Sequence, residues 1–103
     1  MSVKEITDQN FVSLVSTGKA LVDFWAPWCN PCKMLGPIIE QVASEAPEGI
    51  LIGKVNVDEN EKLAEEYEVM TIPTVILFKD GEEVKRFVGV QLKTKLLEEL
   101  AAL

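Results

Sequence analysis

The stretch ALVDFWAPWCNPCK, residues 20–33, decides the fold because it joins a buried strand to the start of a helix. Its first seven residues are nearly all apolar, as expected of a strand that is buried on both faces. Its second half holds Cys29 and Cys32, the only cysteines of the chain. From Leu35 onward, apolar residues recur at steps of three and four, which predicts an amphipathic helix. The two thiols are therefore expected at the N-terminal end of that helix.

Outside this stretch, strands and helices alternate along the chain. Strands are predicted at residues 3–6, 20–26, 50–57, 74–78 and 84–89. The first helix is predicted from a cap at Thr7 or Asp8 to Gly18, and the second from the cysteines to residues 47–49 with a kink at Pro37. The third is predicted over residues 58–68 with a cap at Asp58 or Asn60. The fourth is predicted around Leu96, Leu97, Leu100 and Leu103. This order predicts an α/β fold. Strands separated by helices are expected to pair in parallel, with helices on both faces and a final hairpin as an antiparallel edge.

Length and composition indicate an ordinary soluble protein. A chain of 103 residues predicts one domain, residues 1–103. Hydrophobic residues make up 48% and charged residues 26%, which is typical neither of a disordered nor of a membrane protein. No apolar run approaches the roughly 20 residues that span a bilayer. The N-terminal MSVKEITDQN lacks the apolar stretch of a secretory signal, so a cytoplasmic location is expected.

Charge and the absence of histidine exclude several kinds of site. The formal net charge of −7 argues against nucleic acid as a partner, because phosphate binding needs clustered lysines and arginines. A chain without histidine has no Ser-His or Cys-His nucleophile pair and no imidazole ligand. Two thiols do not complete a four-ligand zinc site, so no bound metal is expected.

The cysteine pair has two interpretations, a structural staple or a reagent. A disulfide between Cys29 and Cys32 closes a loop of only four residues, which constrains the unfolded chain little. At a helix N-terminus, by contrast, backbone N–H groups and the helix dipole favour a thiolate, and a thiolate attacks disulfides. Pro31 suits the first helical turn, and Asn30 tolerates unusual backbone angles. The pattern therefore favours redox chemistry.

Two charged residues interrupt the predicted central strands. Asp23 lies within the apolar run of residues 20–26, so burial is expected to raise the pKa of its carboxyl group and make it a proton acceptor near neutrality. We predict that it reaches Cys32 from beneath the helix; the alternative is a solvated aspartate at a strand end. Lys54 shares a strand face with Ile50 and Ile52, and we predict that it lies near Asp23. The alternative is a lysine whose stem runs past an edge to solvent.

A second cluster of candidate residues precedes the next strand. Pro73 lacks an N–H, so it suits a junction between a loop and a strand. It would leave the backbone of Ile72 available to an extended peptide, although a proline that merely starts a strand fits equally well. Trp28, next to Cys29, is a natural contact surface, whereas Trp25 is expected in the core.

The segments DFWAPWCNPCK, PTVILFKDGE, VNVD and FVGV, in this order and spacing, resemble the thioredoxin family over essentially the whole chain. The resemblance implies a central five-stranded mixed sheet flanked by four helices, with a cis peptide bond at Pro73. It implies a protein-disulfide reductase that takes electrons from thioredoxin reductase and passes them to target proteins, with the reversible Cys29–Cys32 disulfide and no cofactor. It also implies proton transfer by Asp23 with help from Lys54. The peptide groove that it implies consists of Trp28, Asn30, Pro31, Thr71, Ile72, Pro73 and Gly89, and Lys33 matches the family as well.

One position departs from the family pattern. Asn30 stands where relatives usually have glycine, and the residues between the cysteines help to set the redox potential. Pro31 is typical of the reducing branch of the family, since isomerases and oxidants usually carry histidine there. We expect Cys29 to attack a partner disulfide and Cys32 to resolve the intermediate, in a monomeric protein. The alternatives are a disulfide oxidant or isomerase, and a binding module without redox activity.

Overall fold

The computed structural model describes residues 3–103. Its strands are β1 (Lys4–Glu5), β2 (Lys19–Trp25), β3 (Ile50–Asn56), β4 (Thr74–Lys79) and β5 (Glu82–Val88). Its helices are α1 (Phe11–Val15), α2 (Asn30–Glu45), α3 (Glu61–Glu66) and α4 (Lys93–Ala101). The strands form one mixed sheet in the order β1-β3-β2-β4-β5. The predicted α/β fold with five strands and four helices is confirmed.

The direction of β4 differs from the prediction that helix-separated strands pair in parallel. β1, β3 and β2 are parallel, but β4 runs antiparallel to β2, from Thr74 beside Phe24 to Lys79 beside Lys19. Contacts hold the segment after β3 at the end of the sheet where β3 finishes, since the side chain of Asn60 donates to the carbonyl of Asn56 and accepts from the N–H of Asp8. The chain enters β4 at this same end, beside Phe24, and β4 therefore runs back along the sheet.

The sheet separates two hydrophobic clusters, because alternate residues of a strand point to opposite faces. Leu21 of β2 belongs to the cluster under α2 and α4, and Val22 belongs to the cluster under α1 and α3. Asp23 follows the parity of Leu21 and lies on the α2 face. On β3, Ile50 and Ile52 belong to the same cluster, which puts Lys54 on that face as predicted.

The start of α1 differs from its sequence prediction, and the start of α3 matches it but is capped by a distant residue. α1 begins after Asn10, and Thr7 instead accepts hydrogen bonds from the backbone N–H groups of residues 9 and 10 in the preceding turn. α3 has Asn60 at its N-cap, as predicted, but its side chain makes no cap hydrogen bond. Asp8 supplies that acceptor from a distant part of the chain, with the N–H of Leu63 donating to its Oδ1 at 3.0 Å. α2 continues through Pro37 to its end, and the kink there stays a prediction.

Within residues 3–103, no helix has both the length and the apolar content to cross a membrane. In the same residues, no group of three or more potential metal-binding side chains is found.

Candidate active site

The two cysteines lie where β2 passes into α2, as predicted. They are joined in a disulfide with their Cα atoms 5.2 Å apart, and Pro31 occupies the first helical turn. Cys29 is the N-cap residue of α2, and the backbone N–H of Cys32 donates to its Sγ at 3.2 Å. The sulfur thus takes the place of the side-chain oxygen that usually caps a helix. In the reduced protein, this N–H and the helix dipole favour a thiolate at Cys29.

The disulfide is largely shielded from solvent. Cys29 is 6% exposed and Cys32 is 3% exposed. They form a small buried cluster with Ala26, against which Trp25, Val57 and Ile72 pack. The Sγ of Cys29 lies 3.8 Å from the carbonyl oxygen of Ile72, so the loop before β4 borders the sulfur that caps the helix. The loop of Ile72 and the start of α2 therefore border the disulfide.

Asp23 lies beneath α2 with only 4% of its surface exposed. Its Oδ1 has no hydrogen-bond partner among residues 3–103. Burial raises the pKa of Asp23 from 3.8 to about 7, and the positive charge of Lys54 partly opposes that rise. The position in the middle of β2 does not fit the alternative of a solvated aspartate at a strand end.

Lys54 and Cys32 meet Asp23 around one small cavity. Asp23 and Lys54 are paired in the register of β2 and β3. The cavity has a volume of about 150 Å³, and its lining residues are Asp23, Trp25, Cys32, Lys33, Gly36 and Lys54. The Nζ of Lys54 lies 5.3 Å from the centroid of the Trp25 ring, so the lysine is half-buried beside an aromatic face. Trp25, expected in the core, is itself only half-buried.

Trp28 is exposed beside the disulfide, as predicted, with 66% of its surface accessible. Its Nε1 donates a hydrogen bond to Oδ2 of Asp58 at 2.8 Å. Sequence reasoning considered Asp58 only as a helix cap and missed this contact. The parallel register in the structure explains the contact, because Trp25 pairs with Asn56 and the segments after β2 and β3 emerge at one edge of the sheet.

The loop before β4 and the turn after β5 adjoin each other. The Ile72–Pro73 peptide bond is cis, as the resemblance implies, and the N–H of Gly89 donates to the carbonyl of Pro73 at 2.8 Å. Gly89 has a φ of 93°, a left-handed conformation that favours glycine. Thr71 is exposed, and so are Asn30, Pro31 and Lys33 on α2. Sequence reasoning missed Met70, which is 90% exposed directly before this loop.

The family model for thioredoxin matches residues 2–102. The chain belongs to the thioredoxin family. It is 57% identical over 91 residues to a thioredoxin of Chlamydia pneumoniae, covering 88% of each chain. It is 49% identical over 100 residues to a thioredoxin of Staphylococcus epidermidis, covering 97% of this chain and 96% of that one. The solved structure of a mutant thioredoxin from Halobacterium salinarum NRC-1 superimposes with a TM-score of 0.88 at 35% identity, over 98% of this chain and 89% of that one.

Membership of the thioredoxin family and the paired cysteines together identify the activity. The chain is a thiol-disulfide oxidoreductase with protein-disulfide reductase activity, and the prediction from its Cys-X-X-Cys motif is confirmed. Its partners are of the kind that the family implies, disulfide-containing proteins and a reductase. The alternatives, an oxidant or isomerase and a binding module without redox activity, are not favoured.

Proposed function

We propose that the chain is a dithiol electron carrier in which Cys29 is the nucleophile and Cys32 is the resolving cysteine. One observation supports this assignment above the others: the N–H of Cys32 points at the Sγ of Cys29 at the N-terminus of α2. An N–H donor and a helix N-terminus both stabilise negative charge on that sulfur. Exchange between thiols and disulfides requires no other redox group, so we propose that the protein needs no cofactor.

In the first step, the Cys29 thiolate attacks one sulfur of a partner disulfide. A bond forms between Cys29 and that sulfur while the partner's own S–S bond breaks and its second sulfur leaves as a thiolate. The product is a mixed disulfide.

In the second step, Cys32 loses its proton to Asp23 and its thiolate attacks the Sγ of Cys29. The mixed disulfide breaks, the partner's remaining sulfur leaves as a thiolate, and the two electrons of the dithiol have passed to the partner. Three features support Asp23 as the acceptor: its pKa of about 7, its burial and the cavity it shares with Cys32. This cavity is large enough for a water molecule to carry the proton. Lys54, whose charge lowers the pKa of Asp23, tunes that acceptor.

The partner segment binds over the rim of the disulfide, with Trp28, Thr71, Ile72, Pro73 and Gly89 as the proposed contact residues. Of these, Trp28 and Thr71 are exposed, Ile72 and Gly89 are half-buried, and Pro73 is buried. The 3.8 Å approach of Cys29 to the Ile72 carbonyl supports an extended partner strand paired with this loop. Asn30 and Pro31, both exposed at the first turn of α2, tune the redox potential.

The setting that we propose follows from the family. Residues 1–103 act as one domain and as a monomer in the cytoplasm, where a thioredoxin reductase returns the disulfide to the dithiol. The matches at 49% and 57% identity to thioredoxins support a partner of this kind.

The division of labour is tested with Cys32→Ser. Without the resolving thiol, the mixed disulfide on Cys29 is expected to accumulate, because intramolecular attack has a far higher effective concentration than any external thiol. The measurement is non-reducing electrophoresis and mass spectrometry after mixing the variant with a disulfide-containing protein. Cys29→Ser is the control and is expected to trap nothing. Release of partners by Cys32→Ser at the native rate would contradict the assignment.

A further inference from the structure

A groove of about 660 Å³ runs along α3 beside the redox site. Its apolar lining consists of Val57, Ala64, Val69 and Met70. Its remaining lining residues are the carboxylates Glu61, Glu65 and Glu68. The redox mechanism described above uses none of these residues.

The groove is continuous with the disulfide. Val57 lines the groove and also packs against the cluster that contains Cys29 and Cys32. Met70 is 90% exposed and precedes the loop of Ile72, whose carbonyl lies beside Cys29. A partner segment bound at Cys29 can therefore extend past the loop of Ile72 and Met70 into the groove.

The charge of the groove has one sign. Glu61 and Glu65 are four residues apart on α3, and Glu68 follows the helix. None of the three carboxylates has an ion-pair partner within residues 3–103, and no lysine or arginine lines the groove. Glu68 contributes to raising the pKa of Arg86, but the Nε of Arg86 forms its ion pair with Oε2 of Glu83 at 2.6 Å. An occupant that carries a positive charge at the end of an apolar stem fits this lining.

We infer that the groove binds a lysine or arginine side chain of the substrate protein, and that this contact makes the chain prefer disulfides flanked by basic residues. The inference rests on the proposed attack of Cys29 on the partner disulfide. The methylene stem of the basic side chain would contact Val69 and Met70, and its charged end would meet the glutamates. A second copy of the chain is a poor occupant, because each copy carries a net charge of −7.

The test uses a series of short disulfide peptides that differ in one residue. Lysine, glutamine or glutamate stands at successive positions on either side of the reacting cysteine, and kcat/KM for reduction is measured with the native protein. At the position that reaches the groove, lysine is expected to react roughly twofold to fivefold faster than glutamine for each carboxylate contacted. Glutamate is expected to react more slowly than glutamine.

Two triple variants separate a groove contact from the overall charge. Glu61→Gln, Glu65→Gln and Glu68→Gln together neutralise the groove. Glu40→Gln, Glu48→Gln and Glu98→Gln remove the same charge from sites that do not line it. The preference for lysine is expected to disappear in the first variant and to persist in the second.

Any other pattern of preference in the native protein and the two variants overturns the inference. Equal loss of preference in both variants would show a general charge effect, and absence of any preference in the native protein would show that the groove is not used. A groove variant with a changed mass in solution would indicate a second copy as the occupant. Failure of the native protein to reduce even the glutamine peptide would instead contradict the proposed function.

Discussion

Asp23 is 4% exposed, and its Oδ1 has no hydrogen-bond partner among the described residues. Its carboxyl group therefore destabilises the fold whenever it is ionised. Desolvation raises its pKa to about 7, and the charge of Lys54 only partly opposes this rise. The placement is costly for stability but suited to proton transfer, because a pKa near neutrality lets the group accept and return a proton at working pH. Proton transfer therefore explains why a buried position in β2 holds an aspartate and not an apolar residue.

Asp23→Asn is expected to stabilise the oxidised protein, and to do so more at alkaline pH. The folded pKa is about 7 and the unfolded value is 3.8, so between these values the unfolded chain ionises while the folded chain keeps its proton. Stability therefore falls as pH rises through this window and levels off above it. Urea denaturation should show the gain from the substitution growing by roughly 3 kcal/mol between about pH 5 and about pH 8.

Lys54→Met serves as the matched comparison, since it keeps the carboxylate and removes the cation that lowers the pKa of Asp23. Its loss of stability should extend to higher pH than in the native protein. A gain from Asp23→Asn that does not change with pH would contradict the raised pKa.

At the scale of elements, the first turn of α2 brings together the sulfur of Cys29, the ring of Pro31 and the side-chain amide of Asn30. Cys29 caps the helix, Pro31 lacks the N–H that a first turn leaves unused, and Asn30 stands exposed between them. We expect the exposed amide dipole of Asn30 to stabilise a thiolate on Cys29. A more stable thiolate favours the dithiol and makes the couple less reducing.

Asn30→Gly is accordingly expected to make the protein more reducing. Loss of one weak polar interaction with the thiolate corresponds to roughly 10–30 mV. Equilibration with glutathione buffers, followed by quantification of the dithiol and disulfide forms, measures the shift. Gln41→Ala, on an exposed part of the same helix, is the control and should leave the potential unchanged. A potential that is unaltered or less negative in Asn30→Gly would contradict this role.

Elements with a strong local pattern could be predicted from the sequence, and those set by distant contacts could not. The apolar run of residues 20–26 and the three- and four-residue steps from Leu35 identified β2 and α2. The reversed direction of β4 depends on tertiary contacts that hold the segment after β3 at one end of the sheet, which hydrophobic spacing does not report. The cap of α3 comes from Asp8, 55 residues from its partner, so no local signal marks it.

The residues of the candidate site divide in the same way between those that the sequence marks and those that only the structure shows. Cys29, Cys32 and Asp23 stand out because a thiol pair and an acid interrupt apolar sequence. Asp58 and Met70 look like ordinary surface residues in the sequence. The contact of Asp58 with Trp28 and the exposed position of Met70 before the loop of Ile72 are seen only in the structure.

At the scale of the whole molecule, the sheet divides the interior between structural and catalytic tasks. The cluster under α2 and α4 supports the helix that carries the cysteines and covers Asp23. The cluster under α1 and α3 supports the wall of the groove. Because the sheet lies between them, side chains of one cluster do not share contacts with those of the other, and damage to one should leave the packing of the other intact.

This separation predicts that stability losses from substitutions in the two clusters add together. Val42→Ala on α2 and Val15→Ala on α1 each delete two buried methyl groups, at a cost of about 2 kcal/mol. Combined, their losses in free energy of unfolding should add within about 0.5 kcal/mol, because the two sites lie on opposite faces of the sheet. Val42→Ala with Ile39→Val, one turn apart in the same cluster, is the matched pair and should depart from additivity. Urea denaturation of each double-mutant cycle is the measurement. Coupling across the sheet as large as that within one cluster would mean that the two cores relax together.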